Sequence, residues 1–69
     1  MIVLRGYDRA EVDELIHRAN LALASADPAV RAALERRLRQ PELQTRMRGY
    51  DRAQVDTRLA MLADQLSAR

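Results

Sequence analysis

The chain carries one nine-residue segment twice, first as Arg5-Gly6-Tyr7-Asp8-Arg9-Ala10-Glu11-Val12-Asp13 and again as Arg48-Gly49-Tyr50-Asp51-Arg52-Ala53-Gln54-Val55-Asp56. Eight of the nine positions are identical, and Gly6 recurs as Gly49, 43 residues later. The segment has the residue types of a helix start rather than those of a catalytic motif. The repeat therefore favours an interaction module with two equivalent helices over an enzyme.

Each copy predicts the N-terminus of a helix. Asp8 is placed as an N-cap whose carboxylate accepts from backbone N–H groups of the first turn, and Glu11 completes a capping box. Tyr7 before the cap and Val12 at the fourth helical position form the expected hydrophobic staple. The second copy predicts the same helix-capping arrangement with Tyr50, Asp51, Gln54 and Val55.

Two features of the segment have no part in capping. Gly6 and Gly49 predict either a backbone with positive φ or a close approach that a Cβ would block. A large apolar residue precedes each arginine, so that an apolar side chain and a cation share one tight loop. The candidate membrane- or partner-binding residues are Leu4, Arg5, Gly6, Met47, Arg48 and Gly49. Packing in the core is the alternative role for Leu4 and Met47, and an ion pair with an aspartate or a helix end is the alternative for the two arginines.

Apolar spacing predicts the extent of the repeat helices. Helix one is expected over 9–26, with apolar residues 4, 3, 4 and 3 positions apart, and helix three over 52–68 repeats the spacing. The first seam consists of Val12, Ile16, Ala19, Leu23 and Ala26. The second consists of Val55, Leu59, Leu62 and Leu66. We expect these seams to form the core or an oligomer interface.

A second kind of start signal lies between the repeats. Asp27 followed by Pro28 is an N-cap with proline at the first helical position, which predicts helix two over 28–40. Pro41 ends this helix because the residue before a proline is driven out of the α region. The stripe expected to be buried consists of Val30, Ala33, Leu34 and Leu38.

These signals predict an all-α fold of three short amphipathic helices, arranged as a small bundle or a helical-hairpin homodimer. The expected organisation is a first repeat of arm and helix over 1–26, a basic middle helix and connector over 27–46, and a second repeat over 47–69. Helices this short are marginal alone and need packing partners. We expect a homodimer, because small cores are often completed by oligomerisation.

Composition limits the classes of function. The 69 residues include no Cys, and no apolar run approaches the length of a membrane-spanning helix, so a cytoplasmic protein is expected. Capping accounts for Asp8 and Glu11, neighbouring Asp13 and Glu14 face different ways, and His17 is the single histidine. Neither a metal site nor a catalytic constellation is indicated. We expect no cofactor and no small-molecule substrate.

All twelve basic side chains are arginine, while the formal net charge is only +2. Six of them lie in the middle of the chain: Arg31, Arg36, Arg37, Arg39, Arg46 and Arg48. This cluster leaves open a second interpretation, a small Arg-rich helical protein that binds nucleic acid or an acidic protein partner. Against nucleic acid, the cluster lacks interleaved aromatic residues for base stacking.

The repeated segment resembles the start of the DivIVA domain, whose signature reads Phe-Arg-Gly-Tyr-Asp, two variable residues, Glu-Val, then Asn or Asp. The resemblance covers about ten residues in each copy, beginning at Leu4 and Met47, which replace the signature Phe. It implies a helical, dimerising scaffold of bacterial cell division or polar growth that lies on the inner face of the cell membrane. It also implies that Leu4 and Met47 insert among lipids while Arg5 and Arg48 hold headgroups. The long coiled coil of the family is missing here.

Overall fold

The computed structural model describes residues 2–68 as three helices and two strands. In chain order these are β1 (Ile2–Tyr7), α1 (Arg9–Leu23), α2 (Pro28–Arg39), β2 (Thr45–Tyr50) and α3 (Arg52–Ser67). The all-α prediction is therefore wrong, because both arms that precede the repeat helices are strands and pair with each other. Capping and heptad signals are local, and they do not report a pairing between strands about 40 residues apart.

The two strands form a ribbon, a name we use below for β1 and β2 together. As the β1 residues run from Ile2 to Tyr7, their partners run back from Tyr50 to Thr45, which is antiparallel order. Tyr7 is also paired with Tyr50, so that the C-terminal ends of both strands meet, as they would in a parallel ladder. The ladder is therefore irregular. The extended backbone of β1 is also interrupted at Arg5, whose φ of 61° lies in the left-handed region.

Gly6 and Gly49 allow the backbones of the two strands to approach closely. Neither glycine has a positive φ, so their conformational freedom is not what the fold uses. A Cβ on Gly6 would overlap the carbonyl oxygen of Tyr50, and a Cβ on Gly49 would overlap that of Tyr7. Of the two roles that the sequence leaves open, the structure uses close approach.

The helices pack around one core inside the chain. α2 packs mainly on α3, and α1 contacts both. The buried apolar residues are Val12, Leu15, Ala19, Ala22, Leu38, Val55, Leu59, Leu62, Ala63 and Leu66. The described chain is elongated, with extents of 38 × 17 × 17 Å. Because β1 and β2 lead directly into α1 and α3, the ribbon lies where these two helices begin.

Two predictions about buried faces are wrong. α1 ends at Leu23, three residues early, and Ala26 is exposed. On α2, Val30 is 41% exposed and Ala33 is exposed too. The face that α2 turns inward instead carries Arg31, Leu34 and Leu38, which follow helical spacing.

Arg31 explains this rotation of α2. Its guanidinium donates to the carbonyl oxygens of Leu23 at 3.1 Å and of Gln65 and Leu66 at 3.3 Å each. These oxygens belong to the last turns of α1 and α3, which lack intrahelical partners and carry the negative end of the helix dipole. One cation on α2 thus binds the C-terminal ends of both repeat helices.

Candidate functional site

The ribbon exposes the two apolar side chains that the sequence places before each repeated arginine. Leu4 is 73% exposed and Met47 is 77% exposed, although both are large apolar residues. Ile2, which the sequence analysis did not single out, is 50% exposed on the same ribbon. The alternative that Leu4 and Met47 pack in the core is therefore wrong. Single exposed apolar residues are ordinary on protein surfaces, but several on one short ribbon suggest a contact surface.

The arginines beside them have no partner within the described chain. Arg5 and Arg48 are both exposed. Within residues 2–68, their guanidinium groups make no hydrogen bond or ion pair. The expected alternative, an ion pair with an aspartate or helix end, is thus not formed in this part of the chain. Because Arg48 lies opposite Leu4 in the ladder, the two apolar-Arg pairs belong to one ribbon rather than to two separate loops.

Two tyrosines fasten the ribbon to the helices, and each crosses to the other repeat. The hydroxyl of Tyr7 donates to Asp56 Oδ1 on α3 at 3.0 Å, and that of Tyr50 donates to Asp13 Oδ1 on α1 at 2.9 Å. Partial burial, followed by the bond to Asp56, raises the pKa of Tyr7. The bond to Asp13 is the main cause that raises the pKa of Tyr50. The tyrosine rings are also partly buried and pack against the core.

The N-cap of α1 is tied to β2. Asp8 Oδ1 accepts from the backbone N–H of Glu11 at 3.2 Å, and its Oδ2 accepts from Arg46 Nε at 2.8 Å. Arg46, followed by the Glu11 N–H, holds the pKa of Asp8 below its usual value. This carboxylate therefore both caps α1 and anchors β2.

The capping box predicted for Glu11 does not form. The Asp8 N–H donates instead to the carbonyl oxygen of Gln44 at 2.8 Å. Glu11 Oε2 accepts from the Gln44 N–H, also at 2.8 Å. Gln44 thus intervenes between the two residues of the box and joins the connector to α1. At the second cap, Asp51 Oδ1 accepts from the N–H groups of Ala53 at 2.8 Å and Gln54 at 3.4 Å.

The residues of the predicted seams lie inside the bundle of a single chain. Ala19, Leu59, Leu62 and Leu66 are buried, and Ile16 and Leu23 are partly buried against them. Val12 and Val55 are buried one turn inside their helices. The chain's own helices thus cover the seam that suggested a homodimer.

The arginine cluster that suggested nucleic acid is divided among structural contacts. Arg31 binds helix ends, Arg39 pairs with Glu35 at 3.0 Å and Asp64 at 3.1 Å, and Arg46 pairs with Asp8. In the described chain, the guanidinium groups without such contacts are those of Arg36, Arg37 and Arg48. No continuous stripe of free cations results, so the structure adds no support for nucleic-acid binding.

The remaining polar residues of the described chain form no reactive arrangement. Asp13 accepts from Tyr50, Glu14 pairs with Arg18 at 3.1 Å, and His17 is exposed. Among residues 2–68, no three His, Cys, Asp or Glu side chains come together as a metal site. No helix in the described chain has the length and apolar character needed to cross a membrane.

Sequence reasoning missed the crossing of the tyrosines between repeats. The signal was present, since Tyr7 and Asp13 are both retained in the second copy as Tyr50 and Asp56. Asp13 and Asp56 lie beyond the first turns of α1 and α3, and a hydrophobic staple requires no tyrosine hydroxyl. Only a contact between the copies gives both residues a reason to recur together.

Comparison with models of known protein families, with curated proteins and with solved structures yields no match for this chain. The resemblance to the DivIVA domain therefore rests on the two repeated segments alone.

Proposed function

We propose that this chain is a DivIVA-like, non-enzymatic binding module that docks on an anionic membrane surface through its ribbon. The observation that carries the proposal is the pairing of two strongly exposed apolar side chains, Leu4 and Met47, with two unengaged arginines, Arg5 and Arg48. The resemblance adds the setting: an adaptor or scaffold of bacterial cell division or polar growth, in the cytoplasm at the inner face of the membrane.

The chemistry of the ribbon suits the boundary between lipid headgroups and acyl chains. Burying a large apolar side chain such as Leu4 or Met47 is worth about 1.5–3 kcal/mol. Each arginine near an anionic surface adds about 1 kcal/mol. Two side chains of each kind give weak and reversible attachment, because association also costs translational and rotational freedom.

The ribbon is held firmly enough to present these groups as a unit. The bonds from Tyr7 to Asp56 and from Tyr50 to Asp13 fasten both strands to the helix starts. A fixed ribbon loses less conformational entropy on binding than a free arm. The left-handed Arg5 next to exposed Leu4 is a strained residue at the proposed contact, a location where such strain commonly occurs.

A dimer is not required for this mode of binding. Because the chain's own helices cover the seam residues, a homodimer would need exchange of helices between chains or another surface. Two linked ribbons would still bind a membrane more tightly than one, through avidity.

Co-sedimentation with vesicles tests the proposal. The wild-type protein is expected to bind phosphatidylglycerol vesicles and to bind neutral phosphatidylcholine vesicles less well. Replacing both ribbon arginines, Arg5→Ala with Arg48→Ala, should weaken binding roughly thirtyfold, which corresponds to about 2 kcal/mol. Replacing Leu4→Ser with Met47→Ser should weaken it at least as much, because apolar burial is lost.

Matched control variants separate the ribbon from general charge and hydrophobicity. Arg36→Ala with Arg37→Ala removes the same charge from two unengaged arginines on α2. Leu21→Ser with Met61→Ser removes exposed apolar side chains from the helices. Binding that falls equally in the ribbon variants and these controls, or no binding by the wild type, contradicts the proposal.

A further inference from the structure

We propose that Met47 is an oxidation site whose conversion to methionine sulfoxide releases the ribbon from the membrane. This inference rests on the proposed membrane docking. It adds a way to regulate that docking, through oxidation of one of the side chains that make the contact.

Access is the first condition for oxidation, and Met47 meets it. Its exposed fraction of 77% is the largest among the exposed large apolar residues of the described chain. Met61, on α3, is 53% exposed and lies away from the ribbon strands. Susceptibility of a thioether to oxidants follows exposure, so a peroxide reaches the Met47 sulfur readily.

The reaction balances with a peroxide as the oxidant. The thioether sulfur donates an electron pair to one peroxide oxygen, the O–O bond breaks, and an S–O bond forms. With hydrogen peroxide the second oxygen leaves as water, and the sulfur is oxidised by two electrons. The product is a polar sulfoxide in place of an apolar side chain.

Oxidation of Met47 should affect membrane binding and not folding. Met47 belongs to no part of the buried core, so a polar group there meets only solvent in the unbound protein. In the bound protein the same group would have to enter the apolar layer without hydrogen-bond partners, which is unfavourable. Oxidation at this position therefore opposes docking while it leaves the bundle intact.

The two repeats differ at this position in a way that makes the site specific. The residue equivalent to Met47 is Leu4, which has no sulfur and resists peroxide. Of the apolar side chains that precede the repeated arginines, one is thus oxidisable and the other is inert. Oxidation should remove the contribution of one large apolar side chain and so weaken binding by at least about tenfold.

The test uses the full chain and phosphatidylglycerol vesicles. Binding is measured before and after mild hydrogen peroxide treatment, peptide mass spectrometry locates the added oxygen, and circular dichroism checks the fold. We expect oxidised Met47, an unchanged helical spectrum and about tenfold weaker binding. A methionine sulfoxide reductase with a thiol reductant should restore the binding.

Two variants make the outcome specific to this residue. Met47→Leu copies the first repeat and should bind as the wild type does, with or without peroxide, although Met1 and Met61 remain. Met47→Gln imitates the polarity of the sulfoxide and should bind weakly without any oxidant. Equal loss of binding by the wild type and Met47→Leu after peroxide, or no loss by an oxidised wild type, overturns the inference. Absence of binding by the untreated wild type is a different result, because it overturns the proposed function itself.

Discussion

The first repeat reaches into the second in the same way that the second reaches into the first. Tyr7 donates to Asp56, and Tyr50 donates to Asp13, with donor–acceptor distances that differ by only 0.1 Å (3.0 and 2.9 Å). Likewise, a Cβ on Gly6 would overlap the backbone at Gly49, and a Cβ on Gly49 would overlap the backbone at Gly6. The Gly, the Tyr and the last Asp of each copy, all identical between the copies, thus lie where the copies touch.

Away from this junction the repeats have different surroundings. Asp8 pairs with Arg46, but the equivalent pairing of Asp51 would need a cation at the position that Val3 occupies. Leu59 is 1% exposed, whereas the equivalent Ile16 is only partly buried. The cause is α2, which has no counterpart in the repeat and packs mainly on α3. The junction between the copies is thus nearly symmetric, whereas α2 gives the two repeat helices different neighbours.

The largest expected effect is a loss of stability on truncating a core residue, compared between equivalent positions of α1 and α3. Leu59→Ala should lower the free energy of unfolding by about 2–5 kcal/mol, because it opens a cavity in the packed core. Ile16→Ala should cost less, since Ile16 is only partly buried. Urea denaturation followed by circular dichroism measures both losses. Met61→Ala, on the exposed face of α3, is the control and should stay within about 0.5 kcal/mol of wild type. Equal losses at Leu59 and Ile16 would contradict the asymmetry of the helices.

The next effect concerns the symmetric junction. Gly6→Ala and Gly49→Ala should each lower the free energy of unfolding by about 1–3 kcal/mol or more, because each new Cβ meets backbone of the opposite strand. The two losses should agree, unlike those in the helices. Thr45→Ala, at an exposed position of β2, is the control and should change stability by less than about 0.5 kcal/mol. A neutral effect at either glycine rules out the close crossing of the strands.

The smallest expected effect is a dependence of stability on acidic pH, which we expect from the first repeat and not from the second. Arg46 lowers the folded pKa of Asp8 below its usual value of 3.8. The resulting stabilisation is present above pH 3.8 and is lost as the pH falls through the lower folded pKa. Arg46→Met removes the main cause, so its stability deficit relative to wild type should shrink in this acid range.

Denaturation curves from about pH 7 to about pH 2.5 measure this deficit. Arg48→Met is the matched control, because it removes an unengaged arginine from the same strand. It should show no comparable change with pH. The same acid dependence in both variants would show that overall charge, and not the bond to Asp8, is responsible.

Local signals predicted the helices well and their surroundings poorly. Asp8, Asp27 and Asp51 lie at the three N-caps, and the helices begin where these residues place them, because capping depends on a few neighbouring residues. Glu11 shows the limit of such signals. Its spacing suits a capping box, but Gln44, distant in sequence, takes the hydrogen bonds of both box residues.

The apolar-Arg pairs were recognisable from sequence as candidates, but not as parts of one ribbon. Local pattern marked Leu4, Arg5, Met47 and Arg48 because they recur beside a cap and have no part in it. The same pattern could not distinguish burial from exposure. That distinction follows from the pairing of β1 with β2, which turns the Leu4 and Met47 side chains outward.

The sequence by itself determined where the helices start, which ridges of α1 and α3 face the core, and that the chain contains two related halves. Each of these depends on residues within one or two helical turns of one another. The tertiary structure alone decided that the arms pair as a ribbon, that each tyrosine binds the opposite repeat, and that α2 turns Arg31 inward. These features depend on contacts between groups about 30 or more residues apart, such as those of Arg31 with α3 and of Tyr50 with Asp13, which no local spacing encodes.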